Sequence, residues 1–292
     1  MRLQLSPEDP YVWCKLEYLN PSGSTKDRIA THILRTAQES HQISDGQTVV
    51  EASSGSTSIA FALACAQRGL RFIAVMPEGV SNERVLMIRA FGATVRFTPA
   101  AEGVAGAIAE AERLGAELGA FLPRQFANPA NAQAHQLHTA AEIRDAVPDV
   151  RLSAVVSGVG TGGTLAGLYA GLGGRAAGLR PVLARPVAIS ETMDVECCSF
   201  SSQIPGVIDG LSKLFHTADY PDLLTIEVPQ ERAMETTRKL INRGFPVGPS
   251  SGLNYAAAVM AAVQLGDAPE IVTVFPDRME RYFSTMLFAP WR

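Results

Sequence analysis

This sequence is poor in charge. Asp, Glu, Lys and Arg make up 18% of its 292 residues, below the quarter typical of soluble domains, so more of its surface than usual must be neutral or buried. Neither sign dominates. The 25 Lys and Arg against 29 Asp and Glu leave a net charge of −4, which offers no footprint for nucleic acid or an anionic membrane. No apolar run approaches the roughly 20 residues needed to span a bilayer; 59–66 has the length of a core helix. Residues 1–10 contain no apolar core segment, so no secretory signal is expected.

Cysteine is scarce, with four in all. Cys14 and Cys65 sit in apolar segments, and Cys197 and Cys198 are adjacent, a spacing that suits neither C-x-x-C redox chemistry nor zinc ligation. Buried free thiols in a reducing compartment follow, and the expected location is the cytoplasm. The five histidines are scattered. His135 and His138 share a helix face at i, i+3, but no carboxylate or cysteine completes a ligand set, so no metal site is expected. Trp13 and Trp291 are read as packing residues.

Short apolar runs alternate with helical patterns from end to end. Strands are expected at 11–17, 48–51, 72–76, 94–97, 154–157, 187–190 and 271–275, mostly β-branched and apolar on successive positions, as in sheets covered on both faces. Helices are expected at 82–91, 102–118, 131–146, 230–243 and 251–264. Ser81 is the expected cap of the first, with Gly92 as its left-handed stop. The repeating βα order predicts an α/β fold of open parallel sheets that bind ligands at strand carboxyl ends. Asn128-Pro129-Ala130-Asn131 marks the boundary between two α/β units.

The glycines number 25, an ordinary total, but they gather with hydroxyl residues where strands hand over to helices. Four such clusters are Asn20 to Arg28, Glu51 to Thr57, Ser157 to Thr164, and Val247 to Gly252. Glycine lets backbone approach a ligand, and N–H groups at a helix start bind anions. In the third cluster Gly158, Gly160 and Gly163 fit G-x-G-x-x-G, so a dinucleotide site enters consideration. No acidic residue stands about 20 positions on, where Leu179, Arg180 and Pro181 lie. Thr161, Gly162 and Thr164 make a denser donor loop that suits a single terminal phosphate. Lys26, by itself, is either a solvated charge at a helix start or a nucleophile kept near neutral by burial and the helix dipole.

The motif Asn20-Pro21-x-x-Ser24-x-Lys26-Asp27-Arg28 resembles the pyridoxal-phosphate lysine motif of the cysteine synthase and cystathionine β-synthase family. Gly160-Thr161-Gly162-Gly163-Thr164 matches that family's phosphate loop. Gln125-Phe126-Ala127-Asn128-Pro129 is similar to its Q-F-x-N-P segment. Pro276 with Glu280-Arg281-Tyr282-Phe283-Ser284-Thr285 is similar to its carboxyl-terminal motif. The resemblance implies fold type II, tryptophan synthase β-like: two open parallel-sheet α/β domains with a cofactor cleft between them. The larger would comprise 1–19 with 129–292, and the smaller 20–128.

By the same resemblance the cofactor is pyridoxal 5'-phosphate and Lys26 is its Schiff-base lysine and the general acid/base. Gly160, Thr161, Gly162, Gly163 and Thr164 would hold the phosphate, and Ser250 the pyridine nitrogen. A neutral hydroxyl there leaves the ring a weaker electron sink, favouring β-elimination or β-replacement over transamination. Ser53, Ser54, Gly55, Ser56 and Thr57 would receive the substrate carboxylate, with Gln125 helping. Ser56 stands where an asparagine usually reaches the cofactor's ring hydroxyl. The Ser201-Ser202-Gln203-Ile204-Pro205-Gly206 stretch is similar to the family's I-P-G segment near the cofactor.

The implied activity is β-replacement on an activated L-serine by sulfide or a thiol, with a homodimer as the expected assembly. β-Elimination, by a cysteine desulfhydrase or a serine/threonine dehydratase, is the alternative that Ser56 keeps open. A non-catalytic ligand-binding relative is a further alternative, and a nicotinamide dehydrogenase another.

Overall fold

The computed structural model describes residues 1–53, 55–187 and 212–292. Ser54, the Cys197-Cys198 pair, the 201–206 segment and positions 188–190 of one expected strand lie outside the described residues. Strands β3 (Thr48–Ala52), β4 (Arg71–Pro77) and β5 (Thr94–Thr98) make a three-stranded parallel sheet in that order. A six-stranded sheet runs β1-β2-β9-β6-β7-β8. Its strands are β1 (Arg2–Leu3), β2 (Val12–Leu16), β6 (Ala154–Gly158), β7 (Arg180–Val187), β8 (Leu224–Pro229) and β9 (Ile271–Phe275). Among the described strands, only the β1–β2 pairing is antiparallel.

Every residue of β3 and β9 is buried, as the uninterrupted apolar runs require when helices cover both faces. On one face of the small sheet, α1 (Lys26–Glu39), α2 (Ser56–Gln67) and α3 (Asn82–Ala90) share a core with Val49, Phe72 and Ala74. On the other, α4 (Gly103–Leu118) packs Ala107 and Ala111 against Val50, Ala52 and Val75. This is the period-2 alternation of a strand made three-dimensional. In the large sheet, α8 (Gln230–Asn242) and α9 (Pro249–Leu265) cover Val156, Val182 and Ala184. Leu165 and Leu168 of α7 (Gly163–Gly171) cover Val155, Leu183 and Val272 from the opposite side.

Two differences from the sequence expectations have clear physical causes. The strand expected at 187–190 meets β7 (Arg180–Val187) at Val187, its other positions lying outside the described residues. Arg180, Pro181, Arg185 and Pro186 break up the apolar run that would reveal it, although residues 181–184 are buried. The expected helix at 131–146 is three pieces: α5 (Ala130–Ala134), a π-helical turn over His135–Thr139, and α6 (Ala140–Ala146). Gly163, Gly167 and Gly171 leave α7 bare where it meets this helix. A Cβ at Gly167 would lie 2.2 Å from the Ala132 carbonyl oxygen, and one at Gly171 2.5 Å from Ala140 Cβ. Ser81 stands at the expected N-cap of α3 without a side-chain capping bond; its hydroxyl approaches the Arg281 carbonyl at 3.5 Å. Gly92 takes the expected left-handed conformation, φ 81°. Among the described residues, no helix is long and apolar enough to cross a membrane.

Candidate active site

Lys26 is the first residue of α1, and the loop before it is tied down from the far end of the chain. Arg281, 1% exposed, donates from Nη1 to the Gly23 carbonyl at 2.8 Å and from Nη2 to that of Ser22 at 2.5 Å. The Thr25 N–H donates to the Pro276 carbonyl at 2.8 Å, and Ser24 bridges Asp277. Gly23 sits at φ 83°, and a Cβ there would lie 2.8 Å from Arg278 Cδ; only glycine suits both the conformation and the space. Burial pulls the Lys26 amine down to about 8, against the opposing pull of the Asp277 carboxylate. An amine so placed is partly neutral near physiological pH, the state in which it can add to a carbonyl.

The loop after β6 leads into α7, whose first N–H groups have no partner within the helix. Gly162 sits at φ 83°, and a Cβ on it would meet Phe215 Cβ at 2.3 Å; one on Gly163 would meet Asn131 Oδ1 at 2.0 Å. Residues 212–215 return to brace this turn, Ser212 Oγ donating to the Thr161 carbonyl at 2.5 Å. Helix α5 braces it from the other side. Asn131 Nδ2 donates to Thr161 Oγ1 at 2.9 Å and to the Gln125 carbonyl at 2.8 Å. His135 Nε2 lies 3.2 Å from Thr164 Oγ1. Donor hydroxyls, open N–H groups and glycines with no room for a side chain fit a phosphate monoester. Lys26 fits the aldehyde end of pyridoxal phosphate.

The serine-rich loop after β3 opens α2 at Ser56. Ser58 Oγ donates to the Ser53 carbonyl at 2.7 Å, and the Gly55 N–H to Ser53 Oγ at 3.2 Å. Ser56 Oγ donates to Asp277 Oδ2 at 3.0 Å, and Tyr282 Oη donates to the same oxygen at 2.6 Å. Asp277 Oδ1 is buried without a hydrogen-bond partner. Gln125 is anchored on both sides: Oε1 accepts from Thr57 Oγ1 at 2.7 Å, and Nε2 donates to the Ala52 carbonyl at 2.9 Å. Beneath them the buried Glu51 carboxyl accepts from the N–H groups of Ala52 at 2.9 Å and Gln125 at 3.1 Å. Burial pushes that carboxyl up to about 8.

Ser250, 8% exposed, lies in the first turn of α9, two residues after Gly248, whose N–H donates to the Asp277 carbonyl at 2.9 Å. Backbone and side-chain bonds of Asp277 thus connect the Lys26, Ser56 and Ser250 segments. Asn131 connects the Gln125 segment to the glycine loop. Asp277, Asn131, His135 and Glu51 are the residues that sequence reasoning passed over. Asp277 stands inside the carboxyl-terminal motif, next to Pro276; Asn131 counted only as part of a boundary, and His135 only as a metal ligand. His135 and His138 have separate partners, Thr139 with Thr164 and His32 with Arg35. Among the described residues, no group of three His, Cys, Asp or Glu side chains is placed to hold a metal ion.

The family model described as pyridoxal-phosphate dependent enzyme matches residues 2–277. A cysteine synthase of Staphylococcus aureus is 37% identical over 284 residues, spanning 95% of this chain and 89% of its own length. Two solved structures are similar throughout. An O-acetylserine dependent cystathionine β-synthase from Helicobacter pylori superposes with TM-score 0.86 and 31% identity, covering 99% of this chain and 94% of that one. A hydrogen sulfide-producing enzyme from Fusobacterium nucleatum superposes with TM-score 0.84 and 32% identity, covering 96% and 84%.

Proposed function

This chain belongs to the pyridoxal-phosphate dependent enzyme family, and from that premise we propose that it catalyses β-replacement on an activated L-serine such as O-acetylserine. Sulfide or a thiol is the nucleophile, and cysteine or a related β-substituted alanine the product. The observation that carries this is a Lys26 amine held down to about 8 by burial, whose charge is felt at His135 beside Thr164 of a loop with no room for larger side chains; the neutral hydroxyl of Ser250 suits the same chemistry. The cysteine synthase relative supports the same chemistry.

Bound pyridoxal phosphate supplies an electron sink that makes the substrate Cα proton removable. The chain supplies the rest. Residues 160–164 would hold the phosphate through N–H groups and hydroxyls, and Lys26 Nζ would hold the aldehyde end until the substrate amine takes its place. Ser250 would meet the ring nitrogen without adding charge. The first N–H groups of α2, with Ser53, Ser54, Gly55, Ser56 and Thr57, receive the substrate carboxylate. Gln125 Oε1 takes the Thr57 hydroxyl proton, so Thr57 would serve the carboxylate through its N–H, and Gln125 keeps one Nε2 proton for the same group. Lys26 takes the Cα proton as acetate leaves Cβ with its bonding pair. It returns a proton to Cα after sulfur has bonded to Cβ.

β-Elimination is the second reading, and the Ser56–Asp277 bond favours keeping it. A Ser56 hydroxyl given to a carboxylate is not given to the cofactor, so this contact differs from that of the usual asparagine. Feeding O-acetylserine with and without sulfide separates the two. Cysteine in the first case is the expected outcome; pyruvate at equal rates in both would sink replacement. Lys26→Ala should abolish turnover and the visible cofactor band. A wild-type protein that stays colourless with added pyridoxal phosphate would point to the non-catalytic alternative.

The domain division proposed is 1–19 with 129–292, and 20–128, supported by strands 48–98 forming their own sheet. Limited proteolysis near residue 128 tests it. The proposed assembly is a homodimer, testable by sedimentation. The proposed location is the cytoplasm, which suits the free buried thiols Cys14 and Cys65.

A further inference from the structure

The glycine loop has two hydroxyls, and neighbouring side chains decide where each hydroxyl proton points. A phosphate group offers acceptor oxygens, so a threonine serves it only with its proton turned outward. An inward-donating threonine would present lone pairs to an anion.

At Thr161 the direction is settled by Asn131. Its Nδ2 donates to the Gln125 carbonyl at 2.8 Å, and a carbonyl oxygen can only accept. That fixes the amide orientation, and the same Nδ2, 2.9 Å from Thr161 Oγ1, is therefore the donor there too. Thr161 accepts from within and keeps its proton for the loop. Asn131 is fully buried, so no water competes for the amide.

One helical turn on, His135 stands behind Thr164 as Asn131 stands behind Thr161. Its ring lies between Thr139 Oγ1, 3.0 Å from Nδ1, and Thr164 Oγ1, 3.2 Å from Nε2. Burial, reinforced by the Lys26 charge, drives the imidazole down to about 3, so the ring carries one proton and its tautomer matters. With that proton on Nε2, His135 donates to Thr164, Nδ1 accepts from Thr139, and the Thr164 proton is free for the loop. The other tautomer would draw the Thr164 proton inward. Gly163 and Gly167 allow the approach, since a Cβ at either would lie 2.0 Å from Asn131 Oδ1 or 2.7 Å from His135 Cβ.

We propose that Asn131 and His135 are positioning residues that commit the Thr161 and Thr164 hydroxyls as donors to the cofactor phosphate, a role that presupposes 160–164 as the phosphate loop. Neither touches the cofactor. Both act through the hydroxyl in front of them.

The test compares binding of pyridoxal phosphate and of pyridoxal, which lacks the phosphate, to the cofactor-free protein. It also records the phosphorus NMR signal of bound pyridoxal phosphate. His135→Leu should weaken pyridoxal phosphate about tenfold, the worth of one hydrogen bond to a charged group, and leave pyridoxal nearly unchanged. The phosphorus signal should shift. His135→Gln, whose amide nitrogen reaches the Nε2 position, should recover most of the affinity and the signal. Adding His135→Leu to Thr164→Val should cost little beyond Thr164→Val alone, because the hydroxyl it orients is gone. Asn131→Leu with Thr161→Val should behave alike.

Equal weakening of both ligands, full additivity in the double variants, or unchanged phosphate affinity would overturn the proposal. Should His135→Leu fail to fold, Thr139→Val carries the test. It leaves the ring in place but removes the hydroxyl that can donate to Nδ1 and so keep the ring proton on Nε2, and a roughly threefold loss for pyridoxal phosphate alone is expected. No loss, or a loss shared by pyridoxal, overturns it. Wild-type protein that binds no pyridoxal phosphate would instead overturn the functional assignment beneath it.

Discussion

The Ser56 hydroxyl donates to Asp277 Oδ2 across 3.0 Å, joining the start of α2 to the segment that follows β9. The two residues lie 221 positions apart, in segments that follow strands of different sheets. Tyr282 donates to the same oxygen, so one carboxylate restrains the serine loop while its charge acts on Lys26. Asp277 is a structural clasp and an electrostatic neighbour of the Lys26 amine at once.

Asp277→Asn keeps the size of the side chain and removes that charge. The Asp277 carboxylate favours the ammonium form of Lys26, so without it the amine is neutral down to lower pH. In the cofactor-free protein, the pH at which Lys26 begins to react with an amine-selective acylating reagent should fall by on the order of one unit. Peptide mass spectrometry reads the Lys26 yield at each pH. An unmoved profile would remove Asp277 as the group that sets this amine.

Glu51 makes stability pH-dependent in an unusual sense. Its folded value, about 8, is above the ordinary 4.5. A raised carboxyl contributes stability that is fully present below the unfolded value and is lost as pH rises through the folded one. Wild type should therefore lose ground to Glu51→Gln, by at most a few kcal/mol, between pH 5 and about 8. Urea unfolding of both proteins across that range checks it; parallel curves would show that Glu51 does not titrate there.

Gly163→Ala places a Cβ about where Asn131 Oδ1 now sits, at 2.0 Å. Asn131 must swing away, breaking its bond to Thr161. Overpacking of this kind costs about 1–3 kcal/mol, and pyridoxal phosphate should bind at least tenfold more weakly. Absorbance titration measures this directly, and retained affinity would mean the loop can shift as a unit.

Arg281→Met removes the fork that holds the Ser22 and Gly23 carbonyls. Leaving those groups without it should destabilise the protein by about 2–4 kcal/mol, with faster hydrogen exchange concentrated at residues 21–25. Uniformly faster exchange along the chain would instead assign Arg281 a global packing role.

Lys26 and the 160–164 loop are legible from sequence because what they need is local. A backbone that must turn and approach an anion shows glycine and hydroxyl residues side by side, and a helix start follows at once. The strands at 48–52 and 271–275 are legible for a similar reason, since burial on both faces leaves an unbroken apolar run. Strand β7 is not, because its prolines and arginines interrupt that run. The π-helical turn is hidden too: it packs against the bare glycine face of α7, some 30 residues further along.

The chain order of amino acids thus determined by itself the α/β alternation, the glycine and threonine turn into α7 and the lysine at the start of α1. Tertiary structure decided which groups stand behind them. Ser56 meets Asp277 across 221 residues, Thr161 meets Asn131 across 30, and Thr164 meets His135 across 29. A hydrogen bond takes its meaning from the acceptor opposite and from the water excluded around it. Neither exists until the two sheets and their helices have packed.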